Sequence, residues 1–236
     1  MGVFHLPLET VILPESVGES MDVSSRVAQI KDVIDREIEA SSDMDKIARM
    51  VYNNLPEEGL IDVFDSLVDE GRWSYLWLVT RWIKRKQMYE LRYMGYYERW
   101  LYEHIHTWGQ CDVLCYRVLN PMLEKHPQLF KNVLRWCDSS KTFVRRAAPV
   151  SLLRSSRSFS VHFSWEKVLK VVGRLKDDDE IHVQKGVGWL LKYAYLSYPD
   201  EVYDYLKENV DEIPRVVFRY ALEKALKDIR KELMNL

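Results

Sequence analysis

No run of 18 apolar residues occurs in the 236-residue chain, so no segment reads as a membrane-spanning helix. Cysteine is scarce: there are three, an odd number, which sets aside a fully paired disulfide framework and points to a reducing, cytoplasmic setting. Glycine is sparse at nine, and strand-like alternation of apolar and polar residues is rare, which sets aside an all-β fold. Positive charge is not in excess. The formal net charge is −2, so a role with nucleic acid would have to rest on a local patch. A phosphate loop, a dinucleotide fingerprint and an ordered Ser/His/Asp set are missing too, and no cofactor is expected. Residues 1–20, with Pro7, Pro14, Glu9, Glu15 and Glu19 and no cationic start, read as a loose lead-in rather than a signal peptide.

What the chain does have is apolar content, 47%, enough for a sizeable core, and helical periodicity. The expectation is an all-α protein with one elongated domain over residues 21–236. Helices are expected near 22–40, 43–54, 58–69, 72–86, 92–106, 110–124, 127–136, 141–154, 164–175, 179–196, 199–208 and 213–234.

The C-terminal half repeats itself. Asp138, Asp177 and Asp211 each precede a basic residue, Arg146, Lys185 and Arg219, by eight positions. Two before those cations stand Val144, Val183 and Val217; two after stand Ala148, Val187 and Ala221; six after stand Leu152, Leu191 and Ala225. Further upstream, Val133, Val172 and Leu206 correspond, as do Phe130, Leu169 and Tyr203. Spacings of 39 and 34 between the cations suit a stacked two-helix repeat. At about 100° per residue the apolar positions form one stripe, and the cation lies about 200° from it. Each second helix is therefore expected to present one outward cation, with the aspartates at N-caps or in first turns.

Asp112 stands 34 residues before Arg146, with Leu114 and Val118 in the matching apolar positions and Gln110 out of pattern. The slot that holds a cation later holds a carboxylate here. Trp108 is one turn before Asp112 and Trp189 one turn after Lys185, so both indoles are expected on the outward face. Arg145, Lys192 and Lys224 would widen the cationic strip; the Arg81, Lys84, Arg85, Lys86 run could extend it, but a solvated helix end is the favoured reading. Gly186 and Gly188 in a helix interior read as sites of close packing. The aromatic crowd from Trp73 to Trp108 reads as core. Cys111 and Cys115, with His104 and His106 upstream, fall within a helix rather than on the knuckles that structural zinc sites favour, and no metal is expected.

The segments Trp108-Gly109-Gln110-Cys111-Asp112, Phe143-Val144-Arg145-Arg146-Ala147-Ala148 and Val183-Gln184-Lys185-Gly186-Val187-Gly188-Trp189 resemble, in order and separation, the signature of the AlkD family of DNA alkylation repair glycosylases. The similarity covers roughly residues 90–230. It implies a C-shaped, right-handed superhelix of HEAT-like antiparallel helix pairs, with double-stranded DNA carrying alkylated bases on its concave side. It implies Asp112 as catalytic carboxylate, Trp108 and Trp189 flanking the lesion nucleotide, and Arg146 beside the carboxylate and the phosphate. Arg145, Lys185, Lys192 and Arg219 are the expected DNA-binding cations of a monomeric protein. The reaction implied is excision of purines alkylated at N3 of adenine or N7 of guanine. Departures from the pattern are Pro149 inside the Arg146 helix and Gly186 where alanine is usual.

These residue types suit that chemistry. A base alkylated on a ring nitrogen is already cationic and departs without a general acid. One ionised carboxylate near C1′ can stabilise the charge left on the sugar and orient water. Indole faces attract cations by about 0.5–2 kcal/mol. The alternatives are a non-catalytic reader of damaged or branched DNA on the same scaffold, and a helical-repeat scaffold for another protein.

Overall fold

The apolar stripes of the repeat become buried helix faces. In the computed structural model, which describes residues 22–53 and 55–236, Val144, Ala148, Val183, Val187, Leu191, Val217 and Ala221 are all buried. So are Val133, Val172 and Leu206 in the partner helices. The upstream set containing Phe130, Leu169 and Tyr203 is only half-buried, or exposed in the case of Leu169. The expected lead-in at 1–20 lies outside the described residues. The chain divides after Arg85 into two compact units.

The first unit contains α1 (Val23–Ala40), α2 (Met44–Tyr52), α3 (Leu60–Asp69) and α4 (Trp73–Lys86). Asp22 and Asp43 cap α1 and α2, their Oδ1 atoms accepting from Ser25 N at 2.7 Å and Lys46 N at 3.0 Å. Trp82 joins three of the helices. Its indole N–H donates to Ala48 O at 2.9 Å, and its ring stacks on Phe64 with centroids 5.8 Å apart.

The second unit contains α5 (Met94–Glu103), α6 (Trp108–Leu114), α7 (Asn120–Lys125), α8 (Phe130–Cys137), α9 (Thr142–Val150), α10 (Trp165–Arg174), α11 (Ile181–Ala194), α12 (Pro199–Glu208), α13 (Arg215–Ala221) and α14 (Lys227–Met234). The helices that carry the repeating slot pack side by side in the order α6, α9, α11, α13. Ion pairs tie adjacent repeats: Arg145 to Asp178, Arg146 to Asp112 and Arg174 to Asp138, at sequence separations of 33, 34 and 36. This is an all-α helical-repeat fold.

Four local expectations are corrected. The aspartates of the repeat do not cap the second helices. Asp138 closes α8 and pairs with Arg174 at 2.9 Å, and the residues before α9, α11 and α13 are Lys141, Glu180 and Pro214. The helix expected over 141–154 stops at Val150, just past Pro149, and an antiparallel hairpin follows, β1 (Leu153–Ser155) with β2 (Phe159–Val161), pairing Leu153 with Val161 and Ser155 with Phe159. The expected 213–234 helix is two helices, broken at Ala225 and Leu226 in extended conformation, with no glycine or proline there to signal it. The helix expected over 110–124 is interrupted by a π-helical turn at Cys115–Leu119. Pro121 supplies no N–H to Arg117 O, and the Tyr89 hydroxyl donates to that carbonyl instead, at 3.0 Å.

Candidate active site

Thr107 starts α6 with a reciprocal cap: its Oγ1 accepts from Gln110 N at 3.3 Å, and Gln110 Oε1 accepts from Thr107 N at 3.0 Å. That bond explains why Gln110 breaks the apolar pattern. It also starts the helix at Trp108, two residues before the expected boundary, so Trp108 and Asp112 lie one turn apart on one face. Trp108 is 57% exposed.

Asp112 faces α9, where Arg146 meets it with both arms of the guanidinium. Nε donates to Oδ1 at 2.8 Å and Nη2 to Oδ2 at 2.9 Å, while Nη1 donates to His182 O at the start of α11 at 2.5 Å. The residues are 7% and 5% exposed. This corrects the picture of Arg146 as an outward cation, while its position beside the carboxylate is the one that the resemblance implies. Both point away from the apolar stripe, but the neighbouring second helices cover that face, and slots of opposite charge in adjacent repeats satisfy one another. Burial raises the Asp112 carboxyl above its ordinary range, and the guanidinium pulls it back. The Arg146 guanidinium is held above its usual value by the carboxylate against the opposing effect of burial, which is the largest influence on it.

The pair forms one wall of a cleft of about 330 Å³ lined by Trp108, Asp112, Arg146, His182, Lys185, Trp189 and Tyr220. The structure therefore brings Trp108, Asp112, Arg146, Lys185 and Trp189 together. Lys185 is half-buried and has no carboxylate partner among the described residues. Arg145, Lys192 and Arg219 do not line the cleft. Arg145 is engaged by Asp178, with Nε to Oδ2 at 2.6 Å, and by Ser139 O at 2.9 Å; Lys192 pairs with Glu223; Arg219 is exposed on α13.

Trp189 is half-buried and supported from behind. Phe159 of β2 meets its ring edge-on, with centroids 4.8 Å apart at 70°, and also meets Tyr193 at 5.6 Å and Tyr116 at 5.7 Å. Phe159, His182 and Tyr220 are absent from the residues that the sequence singles out. His182 lies one turn before Lys185 on the same helix face, a spacing that could have found it. Tyr220 adjoins the slot residue Arg219. Phe159 gives no signal, because it acts from a hairpin that periodicity does not announce.

These positions fall inside a family match. A model of the DNA alkylation repair enzyme family matches residues 40–225. This chain belongs to the DNA alkylation repair enzyme family. Membership gives it a role in alkylation repair. The fold agrees: a solved structure described as a predicted DNA alkylation repair enzyme from Enterococcus faecalis superposes with a TM-score of 0.63 at 14% identity, over 88% of this chain and 87% of that one. No curated protein matches the sequence.

Within this family member the two odd glycines of α11 have steric reasons. A Cβ at Gly188 would stand 2.6 Å from Tyr220 Cβ and 3.0 Å from Val217 O, so glycine allows α11 and α13 to approach. A Cβ at Gly186 would stand 3.3 Å from Pro149 Cγ and 3.5 Å from Arg146 Cγ. Gly186 and Pro149 thus pack against each other beside Arg146.

Proposed function

We propose that the protein is a DNA glycosylase that excises cationic N3- or N7-alkylated purines from duplex DNA. The observation that carries this reading is the cleft that one ion-paired carboxylate, Asp112, lines together with two indoles and Lys185, a cation with no carboxylate partner among the described residues. As the C1′–N bond breaks, its electron pair moves onto the base and cancels the base's positive charge. Positive charge then develops on the sugar. Asp112 stabilises it and orients the water that adds at C1′ and gives up a proton. Trp108 and Trp189 present aromatic faces to a positively charged nucleotide. Lys185 supplies a cation for a neighbouring phosphate.

Arg146 has all three guanidinium nitrogens engaged within the protein, so its main part in this reaction is to keep Asp112 ionised and aimed. Of the other cations, Arg219 is free to meet a backbone phosphate, whereas Arg145 and Lys192 would meet DNA from within their ion pairs.

The direct test is Asp112→Asn, which keeps shape and removes charge. Base release from alkylated duplex should fall by about 100-fold or more, while affinity for the same duplex stays nearly unchanged. Full release by the variant would remove Asp112 from the reaction. Weak binding that ignores salt would favour a protein-binding scaffold instead.

A further inference from the structure

The water that adds at C1′ gives up a proton, and some group in the cleft has to take it. Asp112 is poorly suited to do so. Both of its oxygens already accept from Arg146, at 2.8 and 2.9 Å, and the pair is buried. A proton on Asp112 would leave the Arg146 guanidinium buried without its counter-ion. It would also cancel the negative charge that the developing sugar cation needs. Of the other side chains that line the cleft, Arg146 and Lys185 are cations with no acceptor, and Trp108 and Trp189 only donate. Tyr220, on α13, offers a phenol oxygen, a far weaker base than an imidazole. That leaves His182.

His182 is the second residue of α11 and is half-buried. Its backbone carbonyl accepts from Arg146 Nη1 at 2.5 Å, which ties it to the ion pair. Its ring packs on Phe143 of α9, with centroids 5.6 Å apart at 44°. Neither ring nitrogen has a hydrogen-bond partner among the described residues. The imidazole is thus held by its backbone and by one face, with its nitrogens uncommitted. It also lies near enough to Asp112 to act on it: burial raises that carboxyl, Arg146 pulls it down, and His182 adds to the pull.

We infer that, within the glycosylase reading on which this rests, His182 is a further catalytic residue whose imidazole accepts the proton of the water attacking C1′. The C1′–N bond breaks with its electron pair passing to the base, which becomes neutral. A water oxygen bonds to C1′, and one water O–H bond breaks as its proton joins the unprotonated nitrogen of His182. The imidazolium then gives the proton to solvent, so the site ends as it began. Asp112 stays an anion throughout, paired to Arg146. Charge stabilisation and proton transfer fall to separate side chains. A buried, paired carboxylate suits the first, and histidine, the residue type most used as acid and base near neutral pH, suits the second.

The test is single-turnover release of 7-methylguanine from alkylated duplex by the full chain. His182→Gln keeps the carbonyl that holds Arg146 and removes the base. Release should fall by about 100-fold, with duplex affinity and melting temperature close to wild type. His182→Ala should fall as far, and added imidazole should restore release in proportion to its concentration. The 1,3-dimethylimidazolium ion, which has the ring and the charge but no acceptor nitrogen, should restore nothing. Unchanged release in the two variants overturns the inference, as does a loss that imidazole does not repair. Equal rescue by the methylated ion overturns it too, for His182 would then be a filler or a fixed cation. A wild type that binds the duplex and releases no base defeats the glycosylase reading itself, and this inference with it.

Discussion

Asp112 and Arg146 occupy the same slot of adjacent repeats, and their encounter sets the chemistry available to the cleft. Taking one partner from a buried pair leaves an uncompensated charge, which typically costs about 3–5 kcal/mol, whereas replacing both can be nearly neutral. Arg146→Met should therefore destabilise the protein by an amount in that range, and adding Asp112→Leu should recover most of it. Denaturant unfolding of the two variants and the wild type checks this, and a double variant as unstable as the single one would contradict it.

The same pair fixes a pH dependence. In the proposed reaction Asp112 acts as an anion, so activity is present above its pKa and disappears as pH falls through it. Burial has raised that pKa, so the acid limb of base release should lie above the ordinary carboxylate value of 3.8. Arg146→Gln should push the limb higher still, because the group that favours the anion has gone. A limb at or below 3.8 in the wild type, or one that moves down in the variant, would count against the assignment. At this scale the periodicity was informative about position and silent about pairing, which the family resemblance alone implied. A spacing of 34 placed Asp112 in the slot, but nothing in one chain's periodicity says that adjacent slots of opposite sign close on each other.

Elements decide how the rest of the site is held. The hairpin places Phe159 against Trp189, Tyr193 and Tyr116, rings drawn from α11 and the π-helical turn. An aromatic pair contributes about 0.5–1.5 kcal/mol beyond burial, so Phe159→Ala should loosen the indole. The expected result is a decrease of up to about tenfold in preference for cationic over neutral lesions, with Phe159→Tyr close to wild type. Steady-state release from paired substrates measures it, and undiminished preference would mean that Trp189 needs no support.

Helix packing gives a sharper contrast. Gly188→Ala meets Tyr220 Cβ and Val217 backbone and should destabilise by about 1–3 kcal/mol, as overpacking does. Gly173→Ala in α10 meets nothing within 4 Å and should stabilise by up to about 1 kcal/mol through helix propensity. Thermal or denaturant melts decide both signs. The packing role of Gly188 was readable because helix-interior glycine is costly. The hairpin was not, since Leu152 continued the apolar stripe past the proline that ends α9. The π-helical turn was hidden similarly, for Leu114 and Val118 keep helical spacing right up to Pro121.

At the scale of the molecule, a net charge of −2 conceals an uneven distribution. Asp138, Asp178, Glu212 and Glu223 are paired off against Arg174, Arg145, Lys176 and Lys192. Among the described residues, cations without a carboxylate partner include Lys185 at the cleft and Arg219 on α13, and Arg49 and Arg85 in the first unit. Helical class and repeat order were legible because burial enforces a period that survives in the residues themselves. Which cations stay available was not legible, because pairing across repeats depends on side-chain reach rather than on spacing.

The most direct measurement is chromatographic release of free 7-methylguanine from alkylated duplex DNA, by the wild type and by Asp112→Asn side by side. The proposed function predicts steady release by the wild type and disappearance of nearly all of it in the variant, at equal DNA occupancy. Equal release by both, or none by the wild type on DNA it demonstrably binds, would contradict it.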